Sequence, residues 1–201
     1  MKNTHKAALK VAALKKTGDA AKQKNQAAAV DGPGTWHLAR TETERQLSDF
    51  EFRLERLAQA YYRWKAACLA AVCDVPLTGD DVAVLNVVRM GDEPKRLSEI
   101  GQLLNRVDVP NLQYATRKLV RAGLIETEGS SSRKETRYRT TATGRSVTEA
   151  YAALRAATLP PMLEALEGWT GKSETAGAHL DVISGLYAQA AQAAITRRHQ
   201  P

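Results

Sequence analysis

The chain has 201 residues, of which 43% are hydrophobic. That length and content allow one domain of about 150 residues with a substantial core. No apolar run reaches the roughly 18–20 residues that a membrane span requires. Lys10 and Lys15 interrupt the apolar part of the N-terminal segment, which argues against a secretory signal peptide. The composition therefore predicts a cytoplasmic protein without a membrane segment.

Positive charge is concentrated in two regions of the chain. Residues 95–145 hold 11 lysines and arginines against 5 acidic residues, and residues 1–35 hold 7 against 2. The other two segments, residues 36–94 and 146–201, are slightly acidic, with 7 against 10 and 4 against 5. Localised basic patches of this kind are typical of proteins that bind nucleic-acid phosphates.

Residues 1–35 are rich in alanine and lysine and contain no aromatic residue. This composition predicts a disordered, solubilising extension. The alternative is a basic arm that follows DNA phosphates and becomes helical when bound, since alanine and lysine are good helix formers.

A long helix is predicted over Thr43–Val72, with apolar residues at alternating spacings of three and four. Such a seam packs against other helices along its length. Its members are Leu47, Phe50, Leu54, Leu57, Tyr61, Trp64 and Cys68. Cys68 and Cys73 lie about 140° apart around this helix, so we expect no disulfide between them.

A second helix is predicted over Asp80–Arg89, with Thr78 as its N-cap. Val82, Leu85 and either Val88 or Val87 would face inward. The segment Gly91–Pro94 ends the helix, and Lys95–Leu97 forms a short strand.

Two further helices are predicted over Ser98–Leu104 and Pro110–Ala122. In the second, one apolar stripe repeats at helical spacing and would face inward. The stripe consists of Leu112, Ala115, Thr116 and Leu119. Gly123 supplies a left-handed residue after the helix and Leu124 the apolar residue that often follows it. Strands over Glu126–Glu128 and Glu135–Arg139 then flank a turn, so the layout is a winged helix-turn-helix.

The side chains on the outward face of the helix over Pro110–Ala122 indicate contacts with the bases of double-stranded DNA. Glutamine pairs with adenine and arginine with guanine in the major groove. The face presents Gln113, Tyr114, Arg117 and Arg121, with Asn111 and Lys118 on its flanks. At the wing tip, Arg133 and Lys134 would reach the flanking backbone or the minor groove.

The C-terminal part is predicted to be helical over Thr143–Ala157, with a break or sharp bend at Pro160–Pro161. The helical pattern resumes over Met162–Trp169, and Glu174–Arg197 forms the last helix. Its inward residues would be Leu180, Ile183, Leu186 or Tyr187, Ala190 and Ala194. The many alanines suit close helix approach in a dimer core.

Over roughly residues 44–198 the chain resembles the MarR family of winged-helix transcriptional regulators. The resemblance is carried by RLSEIGQLL at 96–104, NLQYATRKLVRAGLIETE at 111–128 and RKETRYRTTATGR at 133–145. Ser132-Arg133-Lys134 replaces the family's usual Asp-x-Arg at the wing tip, and Pro110-Asn111 stands where the recognition helix commonly opens with serine or threonine. Individual base contacts of the family are therefore not transferred to this chain.

The resemblance implies a mainly α fold with a small β wing, within residues 36–201. Residues 43–73 and 143–198 would supply dimerisation helices around a winged helix-turn-helix lobe at 78–141. It further implies a homodimeric repressor that binds a palindromic operator and responds to a small ligand. The ligand pocket would be lined by Tyr61, Trp64 and Cys68, for which ordinary core packing is the alternative.

We expect neither an enzyme nor a bound metal or cofactor. The four histidines, at 5, 37, 179 and 199, lack partners at metal-ligand spacing, and no glycine-rich phosphate loop is present. Two alternatives to a sequence-specific regulator remain. One is an architectural DNA-compacting protein with weak sequence preference, and the other is a redox-sensing regulator that uses Cys68 or Cys73.

Overall fold

The computed structural model of the protein describes residues 37–129 and 136–198. Its elements, in chain order, are α1 (Glu42–Ala70), α2 (Gly79–Arg89), a 3-10 turn (Met90–Asp92), β1 (Lys95–Arg96), α3 (Leu97–Leu103), α4 (Val109–Arg121), β2 (Ile125–Glu128), β3 (Arg137–Thr140), α5 (Ala142–Glu164) and α6 (Trp169–Arg198). The contacts divide the chain after Tyr62, and the elements from α2 onward belong to the second unit. The predicted mainly helical fold with a small β wing is confirmed.

Helix α2 begins with a reciprocal cap. The Thr78 hydroxyl accepts a hydrogen bond from the Asp81 N–H at 3.2 Å, and the Asp81 carboxylate accepts one from the Thr78 N–H at 2.9 Å. Both donors would otherwise be unsatisfied, because the first turn of a helix has no partners for its N–H groups. The predicted N-cap at Thr78 is confirmed.

Helix α4 buries one face and exposes the other. Its buried residues are Leu112, Ala115, Thr116 and Leu119, as the spacing predicts. Gly123 has a φ of 68°, the left-handed conformation that ends many helices, and Leu124 behind it is buried. The buried stripe and Leu124 after the helix therefore hold α4 against the lobe.

The wing is a three-stranded antiparallel sheet with the order β1-β3-β2. Ile125 lies opposite Thr140 and Glu128 opposite Arg137, while β1 pairs Lys95 with Tyr138. The short strand predicted at Lys95–Leu97 is confirmed at Lys95–Arg96.

The start of α5 is held against the end of α4. Thr141 caps α5 by accepting from the Gly144 N–H at 3.0 Å, and its hydroxyl donates to the Gly123 carbonyl at 2.6 Å. A Cβ at Gly144 would lie 1.9 Å from the Leu124 carbonyl oxygen. Only glycine permits this approach without a backbone shift.

The main hydrophobic core lies where the end of α1, helices α2, α3, α4 and α5 and the base of the wing meet. Its residues with less than 2% exposure include Leu69, Val82, Val84, Leu85, Val88, Ile100, Leu119, Leu124 and Ile125. The inward positions predicted for α2 at Val82, Leu85 and Val88 are therefore confirmed. This core fixes α4 as a rigid element of the lobe.

The predicted break at Pro160–Pro161 is wrong, whereas the alternative of a sharp bend there stays a prediction. Both prolines lie inside α5, which continues to Glu164. The chain is interrupted instead at Gly168, which has a φ of 70°, and α6 begins at Trp169 rather than Glu174. An interior proline removes one backbone hydrogen bond and crowds the preceding turn, which is unfavourable, but the helix here continues past both prolines. A left-handed residue interrupts the helical conformation itself.

Helix α6 has 30 residues, and none of them is buried within the chain. Leu180, Val182 and Leu186 are between 47% and 63% exposed. The described residues therefore leave most of the predicted inward face of α6 exposed, with Ile183 half-buried. In α1, Leu47, Leu57 and Tyr61 of the predicted seam are likewise exposed, whereas Cys68 is buried.

In the part of the chain that the structure describes, no helix is both long and apolar enough to cross a membrane.

Candidate nucleic-acid interface

The segment before α4 is built around one arginine. The Arg106 guanidinium donates to both carboxylate oxygens of Asp108, at 2.9 and 2.7 Å. These hydrogen bonds, followed by one from the Asn111 side chain, hold the pKa of Asp108 far below its usual range. Pro110 lies in the first turn of α4, where a missing N–H costs nothing. These hydrogen bonds and Pro110 therefore fix the direction in which α4 begins.

The face of α4 opposite the core carries the side chains predicted to meet DNA. Tyr114 is 62% exposed, and Arg117 and Arg121 are also exposed. Neither arginine forms an ion pair with a carboxylate of residues 37–129 or 136–198. Two guanidiniums and a phenol therefore face outward without an internal partner in that range.

Gln113 and Arg117 line a small cleft between α4 and the wing. The cleft has a volume of about 150 Å³, and Leu97, Thr136 and Tyr138 complete its lining. The sequence pattern did not indicate that Thr136 and Tyr138 line this cleft. Their position follows from the pairing of β3 with both β1 and β2, which the alternation of residues along the strand alone does not reveal.

Two residues predicted to meet DNA have partners inside the lobe. The Lys118 ammonium forms an ion pair with the Asp81 carboxylate at 2.8 Å. Asn111 hydrogen-bonds Asp108 in the turn before the helix. Both side chains therefore contribute to the structure of the lobe, and their contact with DNA stays a prediction.

Arg133 and Lys134 of the predicted wing tip lie outside the described residues, as does the arm at 1–35. At the base of the wing, Arg139 pairs with Glu126 across the strands at 2.7 Å. This cross-strand pair occupies a guanidinium that would otherwise add to the basic surface.

The three residues predicted to line a ligand pocket have different surroundings. Cys68 is 6% exposed, and Trp64 packs against the core with its ring edge-on to Tyr151. Tyr61 is 53% exposed and contacts the neighbouring Tyr62 ring. Burial raises the pKa of the Cys68 thiol, with a smaller opposing effect of Arg155. Trp64 and Cys68 therefore have core surroundings, and a pocket stays a prediction.

Comparison with known proteins agrees with the winged helix-turn-helix fold of the lobe. Residues 77–144 match the family model of a winged helix DNA-binding domain. No curated protein matches the chain in sequence.

Several solved structures share the fold. AbfR of Staphylococcus epidermidis is 17% identical, with a TM-score of 0.58 over 74% of this chain and 96% of its own. The reduced form of AbfR has been solved bound to DNA and matches with a TM-score of 0.57 at 17% identity, over 71% of this chain and 96% of its own. NMB1585, a MarR family regulator from Neisseria meningitidis, is 16% identical, with a TM-score of 0.57 over 73% of this chain and 96% of its own.

The matched family model covers α2 to the start of α5, which includes the exposed face of α4 and the wing. The solved structures cover about three quarters of the chain, which is more than the matched domain. Residues 77–144 are therefore a winged helix DNA-binding domain, set in a chain with the fold of the MarR-family transcriptional regulators.

Proposed function

We propose that the protein is a sequence-specific transcriptional regulator that binds double-stranded DNA as a homodimer. The observation that carries this proposal is the division of α4 into two faces. Leu112, Ala115, Thr116 and Leu119 attach one face to the core, so Tyr114, Arg117 and Arg121 are held on the other. A helix held in this way can enter a major groove, where base edges are distinguishable.

The roles within α4 differ with position. Arg117 and Gln113 lie together at the cleft beside the wing and suit base contacts, to guanine and adenine respectively. Arg121 lies at the last residue of the helix and suits a phosphate. Arg133 and Lys134 of the wing tip would add contacts to the flanking backbone or the minor groove.

A homodimer is supported by the apolar residues that the described part of one chain leaves exposed. Apolar side chains are exposed on α6, at Leu180, Val182 and Leu186, and on α1, at Leu47 and Leu57. Residues 43–73 and 143–198 would supply the dimerisation helices. Two copies would then place two α4 helices on successive turns of a palindromic operator. The DNA-bound form of AbfR supports double-stranded DNA as the partner.

Repression and its relief by a small ligand are further parts of the proposal. A ligand beside Tyr61, Trp64 and Cys68 would act only by binding one spacing of the two α4 helices better than another.

The arm at 1–35 would add affinity without specificity, because its seven lysines would contact phosphates rather than base edges.

The redox alternative is disfavoured at Cys68. A reactive sensor thiol is accessible and has a low pKa, whereas Cys68 is buried and burial raises its pKa. Cys73 is half-buried. The architectural alternative is separated from sequence-specific binding by the ratio of operator affinity to random-DNA affinity at one salt concentration.

Substitution of Arg117 tests the proposal. Arg117→Ala should lower affinity for a selected site by about 1–3 kcal/mol and change affinity for random DNA much less. Lys134→Ala should lower both affinities alike, and Arg155→Ala on α5 is the control for loss of a positive charge outside the lobe. If Arg117→Ala lowered the affinity for both DNAs equally, Arg117 would not contact bases specifically, and the architectural alternative would be favoured.

A further inference from the structure

One ion pair joins the recognition helix α4 to the cap of α2. The Lys118 ammonium lies 2.8 Å from Oδ2 of Asp81, and the Asp81 side chain is only 5% exposed. The same oxygen accepts from the N–H and the hydroxyl of Thr78, each at 2.9 Å. One buried carboxylate oxygen therefore caps α2 and holds α4, although 37 residues separate Asp81 from Lys118.

We infer that Lys118 is a positioning residue whose charge is used inside the lobe by Asp81 and is withheld from the DNA phosphates. This inference rests on the proposed function, because it assigns a role within DNA reading. It also separates Lys118 from Arg117 and Arg121 on the same helix, which have no such carboxylate among the described residues.

Burial of Asp81 makes its ion pair with Lys118 persistent, and we call this ion pair the tether. An ion pair between exposed side chains is screened by salt and contributes little, but a partner removed from water is screened much less. If Lys118 left to meet a phosphate, Asp81 would remain a buried, uncompensated charge, which is strongly unfavourable. The DNA would have to compensate for that loss before gaining from the new contact.

A second link reaches the other end of α4 from the residue next to Asp81. The Arg106 guanidinium lies 3.6 Å from the Asp80 carboxylate while it holds Asp108 immediately before α4. The first turn of α2 is thereby tied to the start of α4 through Arg106 and to its last turn through Lys118. Two links at separate ends fix the direction of α4 as well as its position.

Substitution of the two partners, Lys118 and Asp81, should have different effects on DNA binding. Removal of the Lys118 charge should disturb the placement of the reading face without removing a phosphate contact. Removal of the Asp81 charge should disturb the same placement and also free the Lys118 ammonium for phosphates. Asparagine at position 81 keeps an oxygen that can accept from Thr78, so the cap of α2 is retained.

The salt dependence of binding distinguishes the inference from a direct phosphate contact. The full chain is titrated with random-sequence duplex DNA at several salt concentrations, since each phosphate neutralised changes the slope of log K against log salt by about 0.9. Lys118→Met should leave the slope unchanged. Asp81→Asn should steepen it by about 0.9 per protomer, while Arg121→Ala, as the phosphate-contact control, should flatten it by a similar amount.

Operator affinity supplies the second readout. With a selected site, both Lys118→Met and Asp81→Asn should weaken binding roughly tenfold, through partial loss of base contacts. A slope that flattens by about 0.9 per protomer in Lys118→Met would show a phosphate contact and overturn the inference. An unchanged slope together with unchanged operator affinity would overturn it as well.

Different results would contradict the proposed function and the role of Lys118. If the wild type preferred no site, the proposed function would fail, yet the slopes on random DNA would still decide the role of Lys118. If Asp81→Asn did not fold, Lys118→Met would remain decisive. If no duplex were bound at all, amide hydrogen exchange in α4 would decide, with faster exchange in Lys118→Met expected and unchanged exchange overturning the tether.

Discussion

Helices α4 and α6 are both rich in apolar side chains, but one chain buries them very differently. Helix α4 buries four of its 13 residues, whereas none of the 30 residues of α6 is buried. In α4 the buried residues share one face, and the exposed face carries mainly polar residues. In α6 the apolar residues are distributed around the helix, as at Leu180, Val182 and Ile183. In the proposed dimer, a second copy would cover the apolar side chains that α6 exposes on more than one side.

The largest expected effect comes from removing a core contact of α4. Leu119 is fully buried, so Leu119→Ala should lower the free energy of unfolding by about 3 kcal/mol through lost burial and a new cavity. The neighbouring Val120 is 37% exposed, and Val120→Ala should change stability by less than about 0.5 kcal/mol. Urea denaturation followed by circular dichroism measures both. Similar values for the two variants would mean that α4 is not anchored as described.

A smaller effect is expected on α6, and on association rather than on the lobe. Leu186 is 58% exposed in one chain, and its burial in a dimer would contribute about 1.5–3 kcal/mol. Leu186→Ala should therefore weaken the dimer by roughly tenfold to a hundredfold. Sedimentation equilibrium measures the dissociation constant.

Val107→Ala is the matched control, because Val107 is an apolar residue of the helix-turn-helix that is 94% exposed. It should leave the dimer unchanged. A wild-type chain that stays a well-folded monomer in dilute solution would refute the dimer.

Local patterns were sufficient to predict much of the lobe. The inward stripe of α4, the left-handed Gly123 and the cap at Thr78 all depend on residues within one or two helical turns. Such features are set by helical periodicity and local hydrogen bonds, which are readable from spacing. The break wrongly predicted at Pro160–Pro161 has the same origin, since a local rule for proline indicated a break or a sharp bend and the helix continues to Glu164.

The contacts inside the candidate interface could not be predicted in the same way. The Thr78-x-x-Asp81 spacing indicates a capping box, but nothing in it indicates that Lys118 completes the site. The partners of Arg106 and the approach of Tyr138 to Arg117 likewise depend on how helices and strands pack. Exposure of Arg117 follows from periodicity, whereas the internal use of Lys118 follows only from tertiary structure.

The central claim is that α4 reads DNA sequence, and selection of bound sites from a random duplex pool tests it most directly. The full chain should enrich a pseudo-palindrome whose half-sites lie about 10–10.5 base pairs apart, because two α4 helices would occupy successive major grooves. Enrichment should be lost with Arg117→Ala at the same salt concentration. A wild-type pool with no sequence enriched above the starting composition, despite measurable DNA binding, would contradict the account.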